Sequence, residues 1–356
     1  MKIGLGLFRD SLTKDNFQFA RQAGVTHLVV HLVDYFRGKH PHLTSGEPET
    51  GWGIASGKPW TYEELRDIKA MINTHGLEWE AIENFDPAHW HDVLLDGPKK
   101  AQQLENLKQI IRNIGKAGIP IMGYNFSIAG VWGWTHKPLA RGNAMTMVFD
   151  AQEIDTQTPI PNGMVWNMIY DPDAPSGTVP QVSSEELWQR LEEFLRTILP
   201  VAEECGVRLA LHPDDPPVES LRGAARLVNH PYKYQKLIEL VPSPANGVEL
   251  CMGSIQEMAD GNIYETLDSL SRQHKICYVH FRNVKGKVPY YYEVFLDEGD
   301  IDMIRALRIL QRNGYDGVLV PDHTPEMSTD APWHTGMAYA LGYMRGTLQA
   351  LERSDE

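Results

Sequence analysis

Cysteine is scarce in this chain of 356 residues: only Cys205, Cys251 and Cys277 are present, and no two form a CxxC pair. That scarcity excludes a disulfide framework and a zinc ribbon, and in a reducing compartment it leaves a thiolate free to bind metal. Basic charge is also in deficit. There are 33 Lys and Arg against 47 Asp and Glu, a formal net charge of −14, with no basic stripe. Such a surface repels a polyanion, so nucleic acid is not expected as a partner. No run approaches the ~18 uninterrupted apolar residues of a membrane span, and the apolar part of the opening MKIGLGLFRD is too short for a signal peptide. The expectation is a cytoplasmic protein without a membrane partner. No composition shift marks a domain boundary.

Apolar residues make up 42% of the chain, enough for a sizeable core. Short β-branched or apolar runs alternate with helical patterns, the signature of βα units around a parallel sheet. The runs near Ile3–Leu7, Thr26–Leu32, Leu77–Ile82, Ile119–Tyr124, Val207–Leu211, Val248–Leu250, Ile276–Val279 and Val318–Val320 read as eight strands. Helical patterns follow at roughly 13–23, 61–75, 99–117, 184–205, 221–241, 255–272, 300–313 and 335–352. Several open with Thr or Ser ahead of Glu, as at Thr61 and Ser183. The expected fold is α/β: one (β/α)₈ TIM barrel over residues 1–356, with insertions at about 36–60 and 125–183. Both insertions leave the C-terminal ends of strands, the face that carries barrel active sites, and the second is rich in tryptophan, as a lid would be.

Four consecutive strand ends carry a metal-capable residue: LALHPDDPP ends at His212, GVELCMGS at Cys251, CYVHFRN at His280 and GVLVPDHTP at Asp322. Their separations are each about one βα unit, so the four side chains converge on one side of the barrel mouth. Singly, each has a plainer reading as a hydrogen-bonded or buried residue. Two imidazoles, a thiolate and a carboxylate suit a first-row divalent ion, Mn²⁺, Fe²⁺, Co²⁺ or Zn²⁺, better than Ca²⁺ or Mg²⁺. The same four could instead close a tetrahedral structural zinc site, but a barrel needs no metal staple at its functional face.

These segments resemble the mannonate dehydratase family of xylose-isomerase-like barrels. The matching stretches are HPDDPP at 212–217, SPANGVELCMGS at 243–254, VHFRNVK at 279–285, EVFLDEGDIDM at 293–303, PDH at 321–323 and, more loosely, YNF at 124–126. The resemblance implies that His212, Cys251, His280 and Asp322 ligate a catalytic divalent ion, usually Mn²⁺. It also implies dehydration of D-mannonate to 2-keto-3-deoxy-D-gluconate, a hydro-lyase step of hexuronate breakdown acting on a small sugar acid. The chain departs from the family after PDH, where the position of a catalytic tyrosine falls on His334 or Thr335.

His323, adjoining Asp322, is the first candidate for proton transfer, because imidazole titrates near working pH. It could instead orient Asp322. Tyr124 at the fourth strand end could move a second proton, or pack beneath the lid. Arg282 could clamp the substrate carboxylate bidentately, or pair with Asp214 or Asp215. Arg9, Asn84 and His334 are candidate substrate contacts, with His31 and Asp34 at neighbouring strand ends. His40, His42, His89 and His91 read as loop residues at the rim or in solvent, and Cys205 and Cys277 as core. Asp297, Glu298 and Asp300 read as helix N-terminal charge. Two other functions stay open: an epimerase or isomerase that reprotonates C2, and a binding module that retains metal and ligand without turnover. A homo-oligomer is compatible with all of these.

Overall fold

A computed structural model describes residues 1–35, 53–55 and 57–354, so His40, His42 and most of the first insertion lie outside the described residues. Eight strands close a parallel barrel: β1 (Lys2–Phe8), β2 (His27–His31), β3 (Glu78–Glu83), β4 (Ile121–Tyr124), β5 (Arg208–Leu211), β6 (Asn246–Cys251), β7 (Ile276–His280) and β8 (Val318–Val320). Each pairs with its sequence neighbours, and β8 returns to β1. The expected (β/α)₈ barrel is the observed architecture.

Side chains alternate across each strand, and the alternation decides which of them can meet. Val29, Ala81, Ile121, Ala210, Tyr278, Val318 and Val320 share the inward parity and form one buried cluster, which Cys277 of the opposite parity joins. Their neighbours Leu28, Val30, Ile82, Met122, Leu209, Val279 and Leu319 join the larger core beneath the helices. Two residues beyond the inner set, in the same parity, stand His31, Glu83, His212, His280 and Asp322.

The cap signals operate where expected. Thr61 Oγ1 accepts from the Glu64 amide at the start of helix Tyr62–Thr74, and Ser183 and Glu186 form a reciprocal capping box on helix Ser184–Cys205. Other boundaries differ. The helix expected at 221–241 is confined to Lys233–Leu240, because Arg222 and Gly223 take positive φ in a tight turn between two-residue strands. The segment 255–272 splits into helices Met252–Glu257 and Ile263–Arg272, the second capped by Asn262 after Gly261 at φ +97°. His89 and His91 are not loop residues: they are buried on helix Pro87–Leu95, which Asp86 caps and Pro87 opens. Asp297 and Glu298 pair with Arg141, while Asp302 caps helix Met303–Arg312.

The second insertion is more than a lid loop. Strands Trp134–Ala140 and Ala144–Asp150 form a hairpin, and hairpin Asn283–Lys287/Tyr290–Val294 from the β7 loop extends it into a four-stranded antiparallel sheet. A bridge between Met145 and Glu326 ties the β8 loop to the same sheet. Among the described residues, no helix is long and apolar enough to cross a membrane.

Candidate metal centre

His212 follows β5, Cys251 and His280 end β6 and β7 directly opposite one another, and Asp322 lies two residues past β8. The ligand atoms of His212, Cys251 and His280 lie within 4.8 Å of one another, and Asp322 Oδ2 lies 3.4 Å from His280 Nδ1. The four residues read from separate strand ends are therefore brought together. The donor set fits a divalent ion on two observations. His280 Nδ1 is buried and makes no hydrogen bond, a rare state for a buried polar atom. His212 Nδ1 is 2.6 Å from the Pro213 carbonyl and donates to it, so Nε2 is the nitrogen that faces the cluster.

Electrostatics favour the ligating forms of the anions. Burial pushes the Cys251 thiol up, but the Arg282 guanidinium and the imidazoles of His212 and His280 outweigh it and hold the group well below its ordinary value. Burial likewise raises Asp322, and His280 and His323 reverse it. A thiolate and a carboxylate therefore stand ready for a cation.

Arg282 is not free to grip a substrate. It is 2% exposed, and its Nε–H faces Cys251 Sγ at 3.2 Å and Asp322 Oδ2 at 3.3 Å. Nη1 donates to Glu257 and Glu293, both at 2.9 Å, and Nη2 to Asp215 and Ser254. All five N–H groups are engaged, so the expected carboxylate clamp gives way to the ion pair with Asp215 and its neighbours. The cluster reaches the accessory sheet, where Tyr291 donates to Asp215 Oδ1 at 2.7 Å and Trp134 Nε1 to Tyr291 at 3.1 Å.

His323 is held by Glu293, Nδ1 to Oε1 at 2.8 Å, and its Nε2 lies 3.5 Å from Asp322 Oδ1. Its side chain is 39% exposed, edge-on to Trp134 at 5.6 Å. Burial lowers His323, while Asp322 and Glu293 carry it up to about 9. Tyr124 is elsewhere. It ends β4 in the outward parity, fully buried against Phe194 and Trp90, and its hydroxyl has no hydrogen-bond partner. That geometry removes it from proton transfer. His334 is bound to Asn16 Oδ1 at 2.9 Å and packed edge-on against Phe19, and Thr335 bonds Ala331 and Thr329. Neither is joined to the cluster. Arg9 pairs with Glu64 and donates to the Leu32 carbonyl at the rim, and Asn84 donates to the Tyr35 hydroxyl at 3.0 Å.

Two buried carboxylates were not anticipated. Glu249 Oε1 lies 3.0 Å and Glu83 Oε2 3.2 Å from His280 Nε2. Strand parity carried the signal: Glu249 stands two before Cys251, and Glu83 is the last residue of β3.

The chain is similar to known proteins over most of its length. The family model described as D-mannonate dehydratase (UxuA) matches residues 16–356. Mannonate dehydratase of Streptococcus pneumoniae is 30% identical over 321 residues, covering 85% of this chain and 86% of its own. That of Thermotoga maritima is 32% identical over 289 residues, covering 76% and 79%. The crystal structure of mannonate dehydratase from Streptococcus suis serotype 2 superposes with a TM-score of 0.79 at 25% identity, covering 100% of this chain and 94% of that one.

Proposed function

The chain belongs to the D-mannonate dehydratase family, and from that premise we propose that it removes water from a sugar acid, D-mannonate first, giving 2-keto-3-deoxy-D-gluconate. The observation that carries this reading is the convergence of His212, Cys251, His280 and Asp322 beside His323 at the C-terminal mouth of the barrel. His212, Cys251, His280 and Asp322 would hold a divalent ion, Mn²⁺ by preference with Fe²⁺, Co²⁺ and Zn²⁺ as alternatives, which would supply Lewis-acid charge to the substrate.

The remaining work falls to the chain. Arg282 spends its donors on Cys251, Asp322 and the acids behind them, and so holds two ligands in place. Glu293 bonds His323 Nδ1 and sets the imidazole edge that faces the mouth. His323 moves a proton at the reacting carbons, as a base or as an acid. The exclusion of water falls to the accessory sheet, whose Trp134 stands against His323.

The test is product analysis with Mn²⁺ present. A 2-keto-3-deoxy acid formed from D-mannonate supports the reading. Solvent deuterium at C2 without loss of water would make the protein an epimerase, and binding without either would make it a module. Failure to turn over any aldonate with any first-row ion sinks the enzyme assignment.

A further inference from the structure

Dehydration moves two protons, one off C2 and one onto the departing C3 hydroxyl, and His323 serves one of them. Tyr124 is buried among Trp90 and Phe194 on the outer face of the barrel, and His334 and Thr335 are bonded to Asn16 and Ala331. We propose that His31, the last residue of β2, is the base that takes the C2 proton, and that Glu83 positions its imidazole. The inference rests on the dehydratase reading and adds the second proton-transfer group to it.

The geometry is that of a base with a carboxylate behind it. His31 shares the inward parity of Glu83, His212, His280 and Asp322, and its side chain is 15% exposed. Its Nε2 lies 3.5 Å from Glu83 Oε2, and the same carboxylate oxygen lies 3.2 Å from His280 Nε2. A carboxylate facing Nε2 favours the tautomer with the proton there and the lone pair on Nδ1. His31 Nδ1 is buried and has no hydrogen-bond partner. A buried imidazole nitrogen left bare is uncommon and calls for an occupant. The ring is held by Phe8 at 4.8 Å and Tyr35 at 5.8 Å, so its edge has a fixed direction.

Two further features agree. His31 ends β2 at the same mouth as the candidate ligands, and burial pushes its imidazole down although the Glu83 carboxylate opposes the shift. Beside Glu83, Asn84 adopts φ +65°, a left-handed conformation uncommon for a residue other than glycine. Backbone strain of this kind concentrates where a chain must present side chains to a ligand.

The step balances. His31 Nδ1 takes the C2 proton while the C–H electron pair moves into the enediolate. The C3–O bond breaks with its pair on oxygen, and His323 donates the proton that completes water. The C2 enol then becomes the ketone by losing its hydroxyl proton to solvent and gaining one at C3, which His31 can return. His323 is reprotonated from solvent, and the net change is loss of one water.

The experiment compares His31→Gln and His323→Gln on two substrates, D-mannonate and its 3-deoxy-3-fluoro analogue, whose fluoride leaves without a proton. Activity of the unmodified protein on D-mannonate is established first, and its absence defeats the dehydratase reading rather than this inference. His31→Gln should keep its metal content and melting temperature. It should lose about 10²–10⁴-fold in kcat on both substrates and lose deuterium exchange at C2. His323→Gln should still release fluoride. Glu83→Gln should lower kcat on both substrates with KM unchanged, a split that a loss of folded protein would not produce. Where the glutamine variant does not fold, His31→Asn replaces it. Elimination by His31→Gln at the unmodified rate overturns the proposal, and so does loss of water elimination with fluoride release retained, which would make His31 the acid.

Discussion

Arg282 Nε lies 3.2 Å from Cys251 Sγ, so the thiolate that faces His212 and His280 is gripped from behind by a guanidinium whose other donors hold Asp215, Glu257 and Glu293. The candidate metal centre and the accessory sheet thus share one buried charge network.

Breaking that network should be costly. Arg282→Met leaves several acids buried without their cation, and removing one partner of a buried ion pair costs about 3–5 kcal/mol. A denaturant titration should show the midpoint falling accordingly, with metal content reduced. Arg282→Lys, a point charge without the planar fork, should recover only part of the loss. An unchanged midpoint for Arg282→Met would contradict the network's role.

Metal binding should release protons. Burial lowers His212, but Glu249 and Cys251 carry it up to about 9 in the metal-free protein. This raised value means that the imidazolium stabilises the metal-free fold below the ordinary histidine value near ~6.5, and that its contribution fades as pH climbs through about 9. A divalent ion competes with that proton, so affinity rises with pH up to about 9 and falls below it. Calorimetry near neutral pH in two buffers of different ionisation enthalpy should detect the release. Occupancy close to one ion per chain should drop in Cys251→Ser and in His280→Ala, and full occupancy in both variants would remove the assignment.

His323→Gln should separate chemistry from ligand support. With Asp322 holding the metal, the variant should keep its metal and lose about 10²–10⁴-fold in kcat on D-mannonate. A histidine that only oriented Asp322 would instead weaken metal binding, and excess Mn²⁺ would restore the rate. A Mn²⁺ titration of metal content and kcat distinguishes the two.

Tyr124→Phe should leave turnover essentially intact. The phenol is buried between β4 and the helices without a hydrogen-bond partner, and leaving such a group unsatisfied costs roughly 1–3 kcal/mol. Its removal should raise the melting temperature or leave it unchanged. A tenfold loss of kcat with normal folding would return Tyr124 to the mouth.

Much of this protein was legible in its sequence because the signals were local. Eight apolar runs, turn residues between them and caps at Thr61 and Ser183 specify βα units, and the βα period sets four candidate ligands on adjacent strands. Proximity along neighbouring strands follows from that period without further information.

Tertiary structure alone decided which way each strand-end side chain points and what stands across the barrel. A shift of one residue in a strand reverses every side chain, so Tyr124 could not be assigned to the outer face, nor Glu83 and His31 to the inner one, before the register was known. In sequence Arg282 reads as a substrate clamp because a guanidinium two residues past a candidate ligand can turn outward. Only the closed barrel and its accessory sheet bring Asp215, Glu257 and Glu293, remote in sequence, close enough to engage it. Contacts between β3 and β7 across the barrel, such as Glu83 to His280, form only when the ring of strands closes, since no local pattern encodes a pair that faces each other from opposite sides of the ring.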